Sequence, residues 1–337
     1  MHIGGIDPGT RVLVVAEIGN NHEGDVSVAH EMLGRAAEAG ADAVKFQTFV
    51  PELLVSRADM QRLNRLRSFR LTMPQFEELA AHAQRAGVVF MSTPFDLESA
   101  KALNRFQPAF KIASGDNNFN ALIDTVAGFG KPMIVSTGLA DSGLIERLHA
   151  RIRGIWATAG VSPGLAFLHC VAAYPAPPDQ ANLAAIPALK AKFPDTVIGY
   201  SDHTLGTGAA TVAVAAGARI VEKHFTLDTQ RAGFRDHQLS ADPAMFRRMV
   251  DAIREVEAML GTGAVSAQTC EQELQIAARR SIAAATELPA GTTITDGHLT
   301  WVRPGSGFSP GEEAAVVGRT LARSLRQGEL ITAADLV

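Results

Sequence analysis

The sequence is short of several things, and each shortage removes a class of answers. Only two of its 337 residues are cysteine, Cys170 and Cys270, and they stand far apart. They make neither a disulfide framework nor a CxxC metal knuckle, so a reducing, cytoplasmic setting is expected. Charge of one sign is scarce as well: 31 Lys and Arg stand against 35 Asp and Glu, a net charge of −4. No global field draws in a nucleic acid or an anionic membrane, so a phosphate ligand must be met by local cations. The opening residues, MHIGGIDPGT, carry neither a basic nor an apolar stretch and do not read as a signal peptide. No apolar run approaches the roughly 20 residues of a membrane helix. The richest, TVAVAAGARIVEKHF, is broken by Gly217, Arg219 and Glu222.

What is present is an alternation. Short apolar, β-branched runs are followed by longer amphipathic ones, the pattern of βα units around a parallel sheet. Eight strands are expected: Leu13–Gly19, Ala43–Thr48, Val88–Thr93, Ala109–Ser114, Pro132–Thr137, Ala166–Val171, Val197–Asp202 and Ile220–Phe225. Helical patterns lie between them. Ser27–Ala39 puts Val28, Met32, Ala36 and Ala39 on one stripe and stops at Gly40. Pro74–Ala86 opens on a proline suited to a first helical turn and stops before Gly87. Phe119–Phe129 also reads as helix, and Asp242–Leu260 has an Asp cap followed by Pro243. Eight strands with eight following helices is the count of a closed (β/α)₈ TIM barrel. An open doubly wound sheet is the alternative, but its glycine-rich turn after the first strand is missing; GNNHEGD stands there instead.

The composition changes near residue 262. Residues 1–262 read as the barrel, 263–279 as a linker and 280–337 as a small, mostly β module. Leu288, Gly291, Ile294, Thr295 and Leu299 repeat the spacing of Leu325, Gly328, Ile331, Thr332 and Leu336, which suggests two pseudo-symmetric halves.

Polar residues fall where a barrel keeps its chemistry, at the C-terminal ends of the strands. Glu17 is near the end of the first strand, and Lys45 and Gln47 share parity on the second. Thr93 closes the third, Lys111 and Ser114 lie on the fourth and Ser136 on the fifth. Ser201 and His203 share parity at the seventh, as do Glu222 and His224 at the eighth. Each has a bland reading, Glu222–Lys223–His224 as a solvated strand end among them. Agreement across most of the strands is harder to dismiss, because a packed core has no use for so many polar groups. Two lysines among hydroxyls make an anion cradle. Two histidines from adjacent strands can share a divalent cation, or can be hydrogen-bonded structural groups. Asp236 and His237, in the loop after the eighth strand, are either substrate contacts or an ordinary loop pair.

The motifs themselves are specific. VAEIGNNHEGD (Val15–Asp25), AVKFQT (Ala43–Thr48), STPFD (Ser92–Asp96), KIASGD (Lys111–Asp116), VSTG (Val135–Gly138), AYPAP (Ala173–Pro177), GYSDHTLG (Gly199–Gly206) and EKHFTLD (Glu222–Asp228) resemble the sialic acid synthase family. RRSIAAATELPAG and RPGSGFSP resemble the antifreeze-like (SAF) domain attached to those enzymes. The resemblance implies a barrel that condenses phosphoenolpyruvate with an N-acetylmannosamine-like amino-sugar. A divalent metal, manganese or magnesium, would be held by the histidines matching His203 and His224. The matches place the phosphoenolpyruvate cradle at Lys45, Gln47, Thr93, Lys111, Ser114, Ser136 and Ser201. Glu17, Tyr174, Glu222 and Asp236 would face metal water or sugar. The resemblance also implies a domain-swapped homodimer, with Arg303 matching an arginine that contacts the sugar's N-acyl group. Asp116 counts among the substrate contacts, yet members using N-acetylmannosamine often carry Glu there. That difference leaves open a 2,4-diacetamido sugar of the legionaminic or pseudaminic type. A Schiff-base aldolase using Lys45 or Lys111 is the competing chemistry.

Overall fold

The computed structural model describes residues 1–231 and 236–337, which fall into two compact units, Met1–Gly261 and Thr262–Val337. In the first unit, strand β1 (Leu13–Gly19) is followed by helix α1 (Val26–Glu38), and β2 (Ala43–Thr48) by α2 (Pro51–Leu54), α3 (Met60–Phe69) and α4 (Met73–Arg85). Then come β3 (Val89–Pro94), α5 (Leu97–Leu103), β4 (Phe110–Ile112), α6 (Asn120–Ala127), β5 (Met133–Ser136) and α7 (Ser142–Ala159). The unit continues through β6 (Leu165–Cys170), α8 (Ala185–Lys192), β7 (Val197–Asp202), α9 (Gly208–Ala215), β8 (Ile220–His224), α10 (Asp236–Leu239) and α11 (Pro243–Leu260).

The strands form one parallel sheet in the order β3-β2-β1-β8-β7-β6-β5-β4. β3 and β4 lie side by side, so the sheet closes into the expected barrel. Such strands are buried on both sides, which is why they read as continuous apolar runs. One side of each faces the helices, as Val14, Ala16 and Ile18 do on β1 in a cluster with α1 and α11. The other side faces the barrel interior, whose floor is Leu13, Val15, Ala43, Met91, Ala109, Ile134, Ala166, Leu168 and Ile220. Ile3, from the N-terminal segment, joins that floor and is completely buried. Gly199 is required there. A Cβ on it would lie 2.4 Å from the Ile220 carbonyl oxygen and 2.5 Å from Leu168 Cδ2.

The helices start where their caps are. Asp25 accepts from the Ser27 and Val28 N–H groups at α1, and Asp242 accepts from Met245 N–H at α11. Thr72 and Gln75 form a capping box at α4, with Pro74 in its first turn. On α1 the buried stripe is Ala29, Met32, Leu33 and Ala36, while Val28 is only half-buried. Helices α2 and α3 were not anticipated; α3 buries only Leu63 and Phe69, too few for a periodic signal. β4 is shorter than expected, because Ser114–Asp116 turns into a 3₁₀ helix.

The second unit holds helix α12 (Gln272–Ala278) and an antiparallel pair, β9 (Ser281–Ala284) and β10 (Leu299–Val302). Much of its β character comes from isolated bridges. Leu288 bridges Leu325, and both are buried in its core. The repeated halves recur in three dimensions. Gly291 and Gly328 take the same left-handed turn, at φ 83° and 78°. Thr295 and Thr332 each cap a 3₁₀ turn through a capping box. No helix among the described residues is long and apolar enough to cross a membrane.

Candidate active site

Along each barrel strand the inward positions change character from floor to mouth. On β1, Leu13 and Val15 give way to Glu17; on β2, Ala43 gives way to Lys45 and Gln47. Met91 precedes Thr93, Ala109 precedes Lys111 and Ile134 precedes Ser136. Leu168 precedes Cys170, Gly199 precedes Ser201 and His203, and Ile220 precedes Glu222 and His224. Two-residue alternation aims all of these into the same space. Twelve residues singled out in the sequence line one cavity: Glu17, Lys45, Gln47, Thr93, Lys111, Ser114, Ser136, Tyr174, Ser201, His203, Glu222 and His224.

Four charges occupy its centre. Lys45 Nζ lies 2.5 Å from Glu17 Oε2 and 3.6 Å from Glu222 Oε2, and Lys111 Nζ lies 3.4 Å from Glu222 Oε1. Lys45 also donates to the Thr93 hydroxyl at 3.1 Å, and Ser201 donates to Glu222 at 2.9 Å. Asn20 donates to Gln47, which donates to Glu17 at 3.2 Å, so a relay from the loop after β1 orients that carboxylate. The two carboxyls differ. Burial works to raise the pKa of Glu222, but Lys111, Lys45 and the Ser201 hydroxyl outweigh it and bring it down to about 2. Burial prevails at Glu17, whose pKa is raised despite Lys45. The lysines differ in the same way. Burial opposes the charge on Lys45, yet Glu17 and Glu222 hold its pKa above the usual value. Burial wins at Lys111, which is lowered in spite of Glu222.

The histidines meet at the same mouth, with ring centroids 5.4 Å apart. His203 Nδ1 is 2.8 Å from the Val171 carbonyl oxygen; donating there leaves Nε2 as a lone-pair donor. Burial holds His224 well below its usual pKa, hence neutral, and its Nδ1 is buried with no hydrogen-bond partner among the described residues. A neutral, partnerless imidazole beside one whose tautomer is set by a carbonyl fits a shared divalent cation. Among the described residues no group of three His, Cys, Asp or Glu converges as ligands. Tyr174 packs its ring 4.2 Å from that of His203. Burial raises its phenol, so it stays protonated and can donate.

The profile of the NeuB family matches residues 32–265, and that of the SAF domain matches residues 279–337. The chain belongs to the NeuB family. It is 34% identical to N,N'-diacetyllegionaminic acid synthase of Campylobacter jejuni, over 95% of this chain and 99% of that one. It is 31% identical to N-acetylneuraminate-9-phosphate synthase of Mus musculus, over 98% and 93%. Among solved structures it resembles the N-acetylneuraminic acid synthetase of Leptospira borgpetersenii in complex with citrate. The TM-score is 0.76 at 33% identity, covering 81% of this chain and 94% of that one.

In this NeuB-family barrel some expected contacts stand apart from the cavity wall. Asp116 sits in the 3₁₀ turn after β4, where burial pushes its carboxyl up to about 6. Asp236 opens α10 after β8, near enough to Tyr174 for its charge to act on the phenol. Within RAGFRDHQLS, residues 232–235 lie outside the described residues; His237 is buried against Glu23 and the Thr226 hydroxyl. Arg303 belongs to the second unit, directly after β10. Sequence reasoning missed three wall residues, Phe95, Ala113 and Cys170. Cys170 was legible, because it shares parity with Ala166 and Leu168 at a strand end; its Sγ lies 3.6 Å from His203 Nδ1 and accepts from the Ser114 hydroxyl at 3.4 Å. The reading of Glu222–Lys223–His224 as a solvated strand end is corrected: Glu222 and His224 are 6% exposed and Lys223 is 0%.

Proposed function

We propose that the chain condenses phosphoenolpyruvate with an N-acetylmannosamine-like amino-sugar aldehyde, giving a nonulosonic acid and phosphate with the help of a divalent metal, Mn²⁺ or Mg²⁺. One observation carries this reading. Two lysines and a set of hydroxyls lie in the same cavity as a pair of converging histidines. An anion cradle beside a cation site suits a reaction that joins a phosphorylated enol to an aldehyde.

Lys45 and Lys111 neutralise the phosphate and carboxylate of the enol substrate, and Thr93, Ser114, Ser136 and Ser201 donate to their oxygens. Gln47 and Tyr174 orient the acceptor. His203 and His224 would hold the cation, which when bound would supply Lewis-acid polarisation of the aldehyde oxygen. The enol carbon attacks the aldehyde carbon, water adds at C2, and phosphate departs with its bridging oxygen as that C–O bond breaks. A carboxylate of the cavity, Glu17 or Glu222, takes a proton from that water. Glu222 anchors both lysines. Asp116, Asp236 and, from a partner subunit of a homodimer, Arg303 complete the sugar side in this reading.

The test is an assay with phosphoenolpyruvate and a panel of unphosphorylated and 6-phosphorylated 2-acetamido and 2,4-diacetamido hexoses, products weighed by mass spectrometry. Phosphate should appear only when both substrates are present, EDTA should abolish it and Mn²⁺ should restore it. Turnover unaffected by EDTA would sink the metal component. The lowered pKa of Lys111 favours one rival, a Schiff-base aldolase. Borohydride trapping of a pyruvate or sugar adduct on Lys111 would replace our reading with that one.

A further inference from the structure

A second pair of charges stands directly behind the two histidines. Asp202 and Lys223 are register partners on β7 and β8, and each immediately precedes a histidine, His203 and His224. Strand alternation sends the histidines into the barrel and this pair out of it, toward the helix layer. Both side chains are 0% exposed. Lys223 Nζ donates to Asp202 Oδ2 at 3.0 Å and to the Thr204 carbonyl at 2.5 Å. Asp202 Oδ1 accepts from the Thr204 N–H and hydroxyl, both at 2.8 Å, and from the Tyr200 hydroxyl at 3.2 Å. Thr204, the residue after His203, is thus held at both of its backbone polar groups.

Stability is a weak reason for such a pair. A fully buried ion pair is often no more stabilising than apolar side chains of the same volume. The two strands already share a ladder. The contacts converge instead on the peptide that follows His203, whose own carbonyl accepts from Ala176 N–H at 2.9 Å. We infer that Asp202 and Lys223 are positioning residues, clamping the Thr204 peptide so that the His203 imidazole stands at the separation from His224 that a shared cation needs. This inference rests on the metal reading above. Neither residue touches substrate or cation; they act through His203.

Mn²⁺ alone, titrated calorimetrically into the full-length protein, tests it. Lys223→Met leaves a buried carboxylate uncompensated and is expected to damage folding, so the deciding variant is the double Asp202→Asn, Lys223→Met, checked by circular dichroism. The double variant should bind Mn²⁺ about 10–100-fold more weakly, the usual effect of losing an outer partner of a metal ligand. Its affinity for phosphoenolpyruvate without metal should stay within about twofold, a split that general loosening of the barrel would not produce. Asp202→Asn alone keeps the shape, replaces the charged acceptor of the Thr204 N–H and the partner of Lys223 by a neutral one, and should weaken Mn²⁺ binding by about threefold. If the double variant does not fold, this variant decides, and unchanged binding by it overturns the clamp. Wild-type protein that binds no Mn²⁺ would remove the metal reading and this inference with it. Wild type that binds Mn²⁺, with a folded double variant binding equally well, would overturn this inference alone.

Discussion

Leu13 and Glu17 point into the same barrel from the same strand, four residues apart, yet they live by different rules. At Leu13 the interior is a floor of aliphatic side chains sealed by Ile3. At Glu17 it holds two ammonium and two carboxylate groups with 3–6% of their surface exposed. The floor gains from burying apolar area, about 1.5–3 kcal/mol for each large side chain. The mouth gains little from its buried charges once desolvation is counted. The same strand register therefore serves stability at one end and chemistry at the other, and the two ends should respond oppositely to substitution.

Lys111→Met should have the largest effect at the mouth. Removing one of the cradle's two cations is expected to lower kcat/KM by about 10²–10³. A loss below tenfold would mean that the cradle is not the seat of the reaction. Leu13→Ala should do the reverse, removing about 3 kcal/mol of stability by opening a cavity in the floor, with kcat within about twofold of wild type. Denaturant unfolding and steady-state rates on the two variants cross-check each other, and a variant losing both together would blur the division.

A third prediction concerns pH. His22, in the loop after β1, is 1% exposed, and burial lowers its pKa to about 4. The unfolded chain then binds a proton near pH 6.5 that the folded chain refuses until about pH 4. The stabilising contribution is complete above pH 6.5 and is lost as the pH falls through that window, by about 2 kcal/mol at pH 5. His22→Gln should flatten the stability profile between pH 7 and 5; an unchanged slope assigns it to other groups. The smallest expected effect is that of Arg303→Ala. A tenfold rise in the sugar KM, equivalent to about 1.4 kcal/mol, with the phosphoenolpyruvate KM unmoved, is the outcome if Arg303 meets the acceptor. Equal small changes in both would leave it an ordinary arginine of the second unit.

The division between floor and mouth was readable before any coordinates, because it is written in strand parity. Alternation predicted that Lys45 and Gln47, Ser201 and His203, and Glu222 and His224 share a side, and one cavity wall holds all six. Strand ends were harder. Ala109–Ser114 reads as one strand, but only Phe110–Ile112 pairs, since Ser114 is taken by the following turn. Helix α3 was invisible because a mostly exposed helix needs almost no apolar stripe. The bland reading of Lys223 as part of a solvated strand end fails for a related reason. Sequence gives a residue's parity but not what covers the outward side, and only packing shows a lysine with 0% exposure beside Asp202.

The mouth holds as many ammonium groups as carboxylates, Lys45 and Lys111 against Glu17 and Glu222. Such a box is electroneutral when empty, so an arriving polyanion unbalances it. Something positive must accompany the guest, and in the proposed reading that is the divalent cation between His203 and His224, whose rings converge at the same mouth. Capture of the anion and uptake of that cation then become reciprocal halves of one equilibrium, each drawing the other in.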